Sequence, residues 1–529
     1  MYLIILASTL LFAFAISAAT LSWPGSRGKS LPPGPPTLPF LGNMHLMPRT
    51  GIHLKYTTWA QTYGSIFSLK IGQWTMIVLN SASNASRLLD QRSSLYSDRP
   101  PSHAIGDLVF QGHHPMFMSA NDRWKLRRKL YHQMFQESRC NKQHVKLIEA
   151  ESAQLIHDMC VKPEDLMLQP GRFSNSIVMS LVFGIRTPSY DTPHYLKLRE
   201  VLEDLSLLGE VGATPPVDIL PMLKYFPEWL WGNWKTRARL LRQKVFDLYN
   251  PLVDRVIERR AMGKTLNSFL DGVLDQKSDL GLNRDEINIM CGNLLEGGTD
   301  TMATLILTLC QAMALHPAIQ DEAHAHIDSV LDDSRLPTWA DYESLPYVAM
   351  LVKEVHRWRP PGPGGFPHAL NKEDEIDGLK LPKDSMIVIN IWGIHHDPDR
   401  YKDPEVFDPS RFEGQTQLAS VYANSGNFET RDHYGYGIGR RICPGIHMAE
   451  RGLWLAIARI LWSFKIRPKL DGAGNPIPIN VSPESGYSQG FLAHCLPFEV
   501  DIKVRSEKRK QIIMGEAAKA EANVFRGFS

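Results

Sequence analysis

The sequence predicts a mainly α fold with minor β, built as a single large domain behind an N-terminal transmembrane helix. Of its 529 residues, 43% are hydrophobic and 22% are charged, a balance that allows a large buried core and excludes a disordered or fibrous chain. Most segments repeat apolar residues at helical spacing, whereas strand-like patterns are confined to residues 64–80, with a turn near Gly72, and 376–392. No internal repeat or linker divides the chain, which indicates one domain.

The charge balance and the cysteines narrow the possible partners and compartment. Lys and Arg number 58 against 56 Asp and Glu, and the net charge of +2 is too small to attract nucleic acid. We therefore expect no nucleic-acid partner. The six cysteines include no Cys-x-x-Cys pair and are too sparse for a disulfide scaffold, which indicates a reducing compartment.

The N-terminus has the composition of a membrane anchor. Leu3–Leu21 is a run of nineteen uncharged, mostly apolar residues, about 28 Å long as a helix. A cleaved signal peptide is the alternative, with Ser17-Ala18-Ala19 as its cleavage site, but no basic residue precedes the run. Arg27 and Lys29 follow it, and the positive-inside rule then places the rest of the chain in the cytosol. We predict a single-pass transmembrane signal anchor over residues 1–22.

Three further segments follow the anchor. Residues 23–40 form a proline-rich hinge, whose prolines favour an extended backbone over a flexible tether. Residues 41–505 form the large domain. Residues 506–529 form a charged C-terminal tail, for which we predict a solvated helix and find no chemistry.

The most informative stretch of the sequence surrounds Cys443. It runs from Tyr436 to Gly445 and precedes a long apolar helix. A lone cysteine beside a turn is ordinarily a buried structural residue. A helix N-terminus, however, favours the thiolate that binds metals, and flanking glycines let the backbone approach a flat cofactor.

This stretch resembles the haem-binding signature of cytochromes P-450, F-x-x-G-x-R-x-C-x-G, with Tyr436 in place of the usual Phe. The resemblance implies a haem b cofactor whose iron takes its axial thiolate from Cys443. It also implies that Arg441 pairs with a haem propionate and that Gly437 and Gly445 adjoin the cofactor. A buried phenol at Tyr436 would need a partner for its hydroxyl.

A second motif lies in a predicted helix that begins at Pro346. Glu354 and Arg357 share one helical face, and an isolated pair at this spacing is usually a solvated surface contact. The pair nevertheless resembles the family's Glu-x-x-Arg motif, whose third member comes from a Pro-Glu-Arg-Phe-like segment. Here that member is Arg411, and Ser410 departs from the usual pattern. The resemblance implies a structural triad that supports the haem-binding core.

A third motif lies in a long helix predicted over residues 283–315. Asn283 can cap this helix, with Glu286 completing a capping box. Gly297 and Gly298 lie in its middle and cost about 1 kcal/mol each relative to Ala. Either the close approach of a cofactor or a packing contact with another helix could compensate for this cost.

Asp300 and Thr301 follow these glycines, where a side chain that bonds to backbone carbonyls can open a local bulge. The segment resembles the family's oxygen-activating motif, [AG]-G-x-[DE]-T, with Met302 where many members carry a second Thr or Ser. The resemblance implies that Asp300 and Thr301 are catalytic and help to deliver protons during O2 activation.

A fourth motif is Trp124-x-x-x-Arg128, one helical turn that resembles the family's W-x-x-x-R. A Trp N–H and an Arg guanidinium suit a haem propionate, although the same spacing also occurs in ordinary amphipathic helices. His368 is a further propionate candidate, and its alternative is an ordinary loop residue.

The motifs follow one another in the family's order along nearly the whole chain. The resemblance implies a haem-thiolate monooxygenase of the microsomal type, anchored in the endoplasmic reticulum membrane with its catalytic domain in the cytosol. Electrons would come from NADPH through NADPH-cytochrome P-450 reductase. The substrate would be a small, largely apolar or aromatic molecule, and the details are most similar to fungal members of secondary metabolism. Neither the substrate nor the outcome of the oxidation is identified by the sequence.

Other functions remain open at this stage. A haem-thiolate isomerase or dehydratase would rearrange a peroxide without a reductase, and Asp300-Thr301 argues against it. An oxidative-coupling enzyme is a second alternative. A membrane protein that binds haem without catalysis is the third, and it would not need a proton-delivery pair.

Two surface features complete the sequence predictions. Residues 102–118 contain few charges and predict a flexible apolar lid over the distal pocket, with core packing as the alternative. The apolar members of this segment are Ile105, Leu108, Val109, Phe110, Met116, Phe117 and Met118. A basic patch that could steer an acidic reductase, rather than an ordinary solvated face, comprises Lys125, Arg127, Arg128, Lys129 and Arg440.

Overall fold

The computed structural model describes Thr9 and residues 25–528, and helices dominate it. The helices are α1 Ile52–Tyr63, α2 Ala82–Ala85, α3 Asp122–Phe135, α4 Glu137–Arg139, α5 Val145–Val161, α6 Gln169–Phe183, α7 Pro193–Gly209, α8 Trp234–Ala261, α9 Phe269–Asp275, α10 Lys277–Leu280, α11 Arg284–Leu315, α12 Pro317–Val330, α13 Pro346–Trp358, α14 Ile391–His395, α15 Ala419–Asn424, α16 Ile446–Ser463 and α17 Glu507–Asn523. The predicted mainly α class is therefore confirmed.

The strands are few and short, as predicted. They are β1 Ile66–Ile71, β2 Trp74–Leu79, β3 His368–Ala369, β4 Asp374–Ile376, β5 Leu379–Leu381, β6 Met386–Ile389, β7 Phe464–Pro468 and β8 Val500–Val504. A four-stranded sheet has the order β1-β2-β6-β3, and β4-β5 and β7-β8 form two separate pairs. The predicted hairpin turns at Gly72, whose φ of +58° favours glycine. The strand pattern at 376–392 ends earlier than predicted, because α14 begins at Ile391.

Helix α11 lies at the centre of the hydrophobic core, against α6, α8, α16 and β7. The predicted capping box is present, with the Asn283 side chain accepting from the Glu286 N–H at 2.9 Å and the Glu286 carboxylate accepting from the Asn283 N–H at 3.0 Å. Thr301 Oγ1 donates to the Gly297 carbonyl at 3.0 Å, yet the helix continues without the bulge that such bonding can open. The Thr301 hydroxyl therefore has a hydrogen-bond acceptor within a regular α-helix.

The two mid-helix glycines have different explanations. A Cβ on Gly298 would lie 2.5 Å from Val178 Cγ2, so this glycine permits the close packing of α6 on α11. A Cβ on Gly297 would meet nothing within 4 Å. Packing therefore explains Gly298, whereas Gly297 borders open space.

The N-terminal segment docks onto the sheet. Arg27 donates to Ser68 Oγ at 3.0 Å and to the Gly34 carbonyl at 2.6 Å. A Cβ on Gly34 would lie 2.1 Å from the Ser68 carbonyl, so the predicted hinge is pressed against β1. The predicted transmembrane anchor over residues 1–22 lies outside the described residues, apart from Thr9. Within the described part, no single helix is long and apolar enough to cross a membrane, although α11 and α12, bent by 108°, meet the length and composition criteria together.

The C-terminal tail forms the predicted helix but is not solvated on all sides. Helix α17 packs on α5 and buries one face that includes Ile513, Ala517 and Ala520. Arg509 is buried and donates to the Trp462 carbonyl at 2.7 Å and to Asp328 at 2.8 Å. The prediction of a solvated helix is wrong because the small residues of this face allow close packing.

Candidate active site

Cys443 lies in a tight loop before α16. Its N–H donates to the Tyr436 carbonyl at 2.8 Å, which closes the loop. Gly439 has a φ of +62°, and a Cβ there would lie 2.1 Å from the Leu89 carbonyl oxygen, so only glycine fits. Gly445 occupies the N-cap of α16, one residue before Ile446. Gly437 also has a positive φ, of +78°, so the loop backbone favours glycine at residues 437 and 439, whereas a Cβ on Gly445 would meet nothing closer than 3.9 Å.

The electrostatics at Cys443 differ from the sequence prediction. Burial raises the pKa of its thiol, while the Gly445 N–H and the Arg128 guanidinium act in the opposite direction. The thiol therefore favours its neutral form in the protein alone, because desolvation outweighs the helix N-terminus. A bound cation would reverse this balance.

A cavity of about 330 Å³ connects Cys443 with α11. The Cys443 loop and α11 both line this cavity, and the lining residues of α11 include Gly297 and Thr301. The remaining wall is largely aromatic and aliphatic, and the residues that form it include Met116, Phe366, Phe491 and Leu492.

Three arginines border the cavity, including Arg99, which the sequence analysis did not single out. Arg441 donates to the Ser97 carbonyl at 2.7 Å, and its guanidinium lies 4.0 Å from the Trp124 ring. Arg128 donates to the Ile442 carbonyl. Arg99 donates to the Phe366 and Pro367 carbonyls, at 3.0 and 2.5 Å. The structure thus brings Trp124, Arg128 and Arg441 together as predicted, and it adds Arg99.

These three cations are costly to bury without an anion. Burial lowers the pKa of Arg441 to about 9, and it also lowers the pKa values of Arg99 and Arg128. In the described part of the chain their hydrogen-bond partners are backbone carbonyls and not carboxylates. The donor set therefore fits haem, whose two propionates would compensate the cations and whose iron would bind the Cys443 thiolate.

His368 is buried beside Arg99 and Arg441. It lies in β3 with its Nδ1 2.7 Å from the Tyr96 carbonyl oxygen, and it is not among the residues that line the cavity. Burial and the neighbouring Arg99 hold its pKa well below the ordinary histidine range. The strand holds one ring nitrogen against backbone, and the propionate role of His368 stays a prediction.

Asp300 and Thr301 lie at different depths. Thr301 lines the cavity, whereas Asp300 lies behind the wall, with its side chain 23% exposed. Burial raises the pKa of the Asp300 carboxyl. His494 lies beside it, with its Nε2 4.0 Å from Asp300 Oδ2. His494 is not predictable from the sequence, since no local pattern marks a single loop histidine.

The predicted structural triad is present and buried. Arg357 donates to both carboxylate oxygens of Glu354, at 2.6 and 2.7 Å, and both side chains have no exposed surface. Arg411 Nε lies 3.7 Å from Glu354 Oε1, and the Asp408 N–H donates to the same oxygen at 2.7 Å. Ser410 contributes its own bond to Asp408, so the departure from the family's pattern leaves the network intact.

The predicted lid is partly core. Residues His103–Val109 form a π-helix, and Val109 and Phe110 are buried in the hydrophobic core. Met116 lines the cavity, and Phe117 stacks on Phe110 and contacts Phe366. Only the second half of the segment therefore adjoins the cavity.

Two of the five residues of the predicted basic patch point into the protein. Arg127 is fully buried and pairs with Glu286 at 2.9 Å, and Arg128 turns toward the Cys443 loop. Lys125, Lys129 and Arg440 remain exposed. The prediction was wrong for Arg127 because its helical position faces α11.

The Tyr436 hydroxyl is buried and has no hydrogen-bond partner among the described residues. Its ring lies 4.9 Å from that of His356, and burial raises the pKa of the phenol. The partner that a buried phenol requires is therefore not supplied by a side chain of the described part.

Comparison with known proteins identifies the family. A family model described as Cytochrome P450 matches residues 32–488. The cytochrome P450 monooxygenase anuE of Penicillium roqueforti is 58% identical over 484 residues, which are 91% of this chain and 99% of that protein. The cytochrome P450 monooxygenase yanC of Aspergillus niger is 43% identical over 533 residues, covering 100% and 99% of the two chains. The chain belongs to the cytochrome P450 family and is a cytochrome P450 monooxygenase.

Proposed function

We propose that this monooxygenase uses haem b, O2 and electrons from NADPH to oxidise a small, largely apolar or aromatic molecule in fungal secondary-metabolite biosynthesis. The single observation that carries the proposal is that one cavity joins Cys443 to Thr301. The fungal cytochrome P450 monooxygenases that match the chain nearly end to end support the reaction class.

The residues around the cavity have distinct binding roles in this proposal. Cys443 supplies the axial thiolate, and Gly437 and Gly445 keep the backbone close to the cofactor. Arg128 and Arg441 hold the propionates, with Trp124 packed against the Arg441 guanidinium. Haem, when bound, supplies the iron at which O2 is reduced.

The cavity wall supports an apolar or aromatic substrate. Phe366 contacts Phe491 with ring centroids 4.9 Å apart, and Phe117 contacts Phe366 at 5.4 Å. Such edge-to-face rings favour flat, apolar ligands. Asn293 is a polar side chain of this wall, and its Nδ2 donates to Tyr131 at 3.3 Å.

Thr301 and Asp300 handle protons in the proposed reaction. The Thr301 hydroxyl faces the cavity and can hold a water molecule there while it bonds to the Gly297 carbonyl. Asp300, whose carboxyl pKa is raised by burial, can exchange a proton with that water. A haem-thiolate isomerase would need neither group.

Replacing Thr301 with Ala tests this proton route. We expect product formed per NADPH to fall about tenfold and peroxide release to rise, because a positioned proton donor is lost. Stability should change by about 1 kcal/mol or less, since only one helical hydrogen bond disappears. The measurement is NADPH oxidation, peroxide and product in the reductase-supported reaction with naphthalene as the probe. Full coupling in Thr301→Ala would refute the assignment, and absence of NADPH oxidation in the unmodified protein would refute the proposed supply of electrons from NADPH.

NADPH-cytochrome P450 reductase is the proposed electron donor, docking beside the Cys443 loop. Arg128 links α3 to this loop through Ile442, and the exposed Lys125 and Lys129 lie three residues before and one residue after it. Arg440 is exposed in the loop itself. Exposed cations there would steer an acidic flavoprotein.

Reversing Lys125 and Lys129 to Glu should slow haem reduction by the reductase about tenfold at low salt, because electrostatic steering acts on the association rate. The difference should shrink at high ionic strength. Stopped-flow reduction over a salt series measures it. Charge reversal of Lys503 and Lys519, exposed on β8 and α17, is the matched control and should have little effect. Equal rates for both double variants at every salt concentration would remove this docking surface.

We also propose attachment to the endoplasmic reticulum membrane through the predicted anchor. Exposed apolar side chains support a lipid-facing surface, including Phe40 at 61%, Tyr225 at 91% and Trp229 at 70% exposure. Phe40 lies near the segment that precedes Tyr225 and Trp229. Gly72 lies between the two, because a Cβ on it would be 3.3 Å from Ile219 and 3.8 Å from the Phe40 carbonyl. The catalytic domain would then face the cytosol.

A further inference from the structure

His494 is held in a defined position at the edge of the active site. Tyr487 and Cys495 pair in an isolated β-bridge around it. Within that bridge the Ser488 N–H donates to the His494 carbonyl at 2.8 Å, and the His494 N–H donates to Ser488 Oγ at 2.9 Å. The same loop brings Phe491 to the cavity wall. The His494 side chain nevertheless remains 41% exposed, so its ring contacts both solvent and protein.

The ring of His494 spans one turn of α11. Its Nδ1 lies 3.0 Å from Thr304 Oγ1, and its Nε2 lies 4.0 Å from Asp300 Oδ2. When the Thr304 hydroxyl donates to Nδ1, a neutral ring carries its proton on Nε2, which faces Asp300. When both nitrogens are protonated, the ring is an imidazolium beside a carboxylate.

Few other charged or titratable groups act on Asp300. Arg199 lowers the pKa of its carboxyl as His494 does, and burial raises it. Tyr195 is a further neighbour of Asp300, and its own pKa is raised to about 12 by burial and by Asp300. Of a guanidinium, a phenol and an imidazole, only the imidazole ordinarily changes its charge between about pH 5 and 8.

We propose that His494 is a positioning residue that orients Asp300 and returns protons to it from solvent. The inference rests on the proposed function, in which Asp300 supplies protons to the cavity. In the transfer the Nε2–H bond of the doubly protonated His494 ring breaks and an O–H bond forms on the Asp300 carboxylate at Oδ2, which leaves a neutral ring with its proton on Nδ1. The ring then regains a proton from water at its exposed edge. The 4.0 Å separation requires a small ring rotation or one bridging water.

A double-mutant cycle on the holoenzyme tests the link. The variants are His494→Phe, Asp300→Asn and their combination, assayed with reductase and with naphthalene as the probe. We expect each single variant to raise peroxide per NADPH about threefold or more, because proton delivery is lost, and the double variant to add nothing further. His494→Gln, which can keep a hydrogen bond to Thr304, should lie between. His45→Ala, an exposed histidine in the N-terminal part, is the control.

The pH dependence of product formed per NADPH distinguishes a proton relay at His494 from a purely structural role of this residue. The pH dependence of coupling in the unmodified protein should disappear in His494→Phe, whose ring has no nitrogen to carry a proton. The C–O stretching band of the reduced carbonyl complex should lose its pH dependence in the same variant, a readout that needs no substrate.

Each outcome is decisive. His494→Phe could keep the product per NADPH and the pH profile of the unmodified protein while Asp300→Asn releases more peroxide. That result would overturn the inference and leave the proposed function intact. If Asp300→Asn also stays coupled, the proposed proton route itself is wrong. Should His494→Phe fail to retain haem, Thr304→Val removes the ring's partner without altering the loop, and an unchanged profile there would overturn the inference.

Discussion

Cys443→Ser abolishes the red-shifted Soret band of the reduced carbonyl complex and all reductase-supported oxidation: this is the expected result. The hydroxyl matches the thiol closely in size, so the loop closed by the Cys443 N–H and the Tyr436 carbonyl should persist. A serine does not supply the soft thiolate that the proposed ligation requires. Activity should fall below detection, while the reduced carbonyl spectrum, recorded on protein reconstituted with haem, reports the ligand directly.

Cys160→Ser is the matched control. Cys160 is partly exposed and unpaired, and it lies near the end of α5. Its replacement should leave the carbonyl spectrum and activity unchanged. A Cys443→Ser protein that keeps the red-shifted band would show that another thiol binds the iron.

Local patterns were sufficient for the elements that carry the active site. The long helix could be predicted because its capping box and apolar periodicity are both encoded within a few residues of each other. The hairpin at residues 66–79 was predictable for the same reason, since alternation and a positive-φ glycine adjoin in sequence. Cys443 was recognisable because its loop needs glycines at fixed positions.

Partners that meet only in the folded chain were not predictable. Arg99 reaches the cavity through carbonyls more than 260 residues away, and His494 meets Thr304 across 190 residues. Adjacent cationic side chains also point in different directions, which their charge does not predict. Arg127 turns inward to Glu286, whereas Arg128 turns to the Cys443 loop. Only the orientation of α3 against α11 decides between them.

Charge likewise misled the prediction for the C-terminal tail. Its Lys508-Arg509-Lys510 run indicates a solvated helix, but Arg509 sits in a pocket made by Asp328, Asp333 and the Trp462 carbonyl. Those acceptors come from distant segments. A charged residue with buried partners cannot be told from an exposed one by composition.

Arg357→Ala should lower the free energy of unfolding by about 3–5 kcal/mol, because it leaves the buried Glu354 carboxylate without its cation. Both side chains have no exposed surface, and Arg357 also donates to the His395 and Pro404 carbonyls, at 3.1 and 2.7 Å. Urea unfolding of the purified holoprotein, followed by haem absorbance and tryptophan fluorescence, measures the loss. Haem occupancy should fall as well, since His356 of α13 contacts Tyr436 at the start of the Cys443 loop, with ring centroids 4.9 Å apart.

Arg87→Ala is the matched control for this prediction. Arg87 makes the same two-pronged contact with Asp377, with both distances 2.8 Å, but the two side chains are 35% and 63% exposed. Because solvent screens an exposed pair, its loss should cost about 1 kcal/mol or less. A similar loss of stability in both variants would show that burial does not determine the strength of the Glu354–Arg357 pair. A loss confined to Arg357→Ala would assign the pair to the support of the haem-binding core.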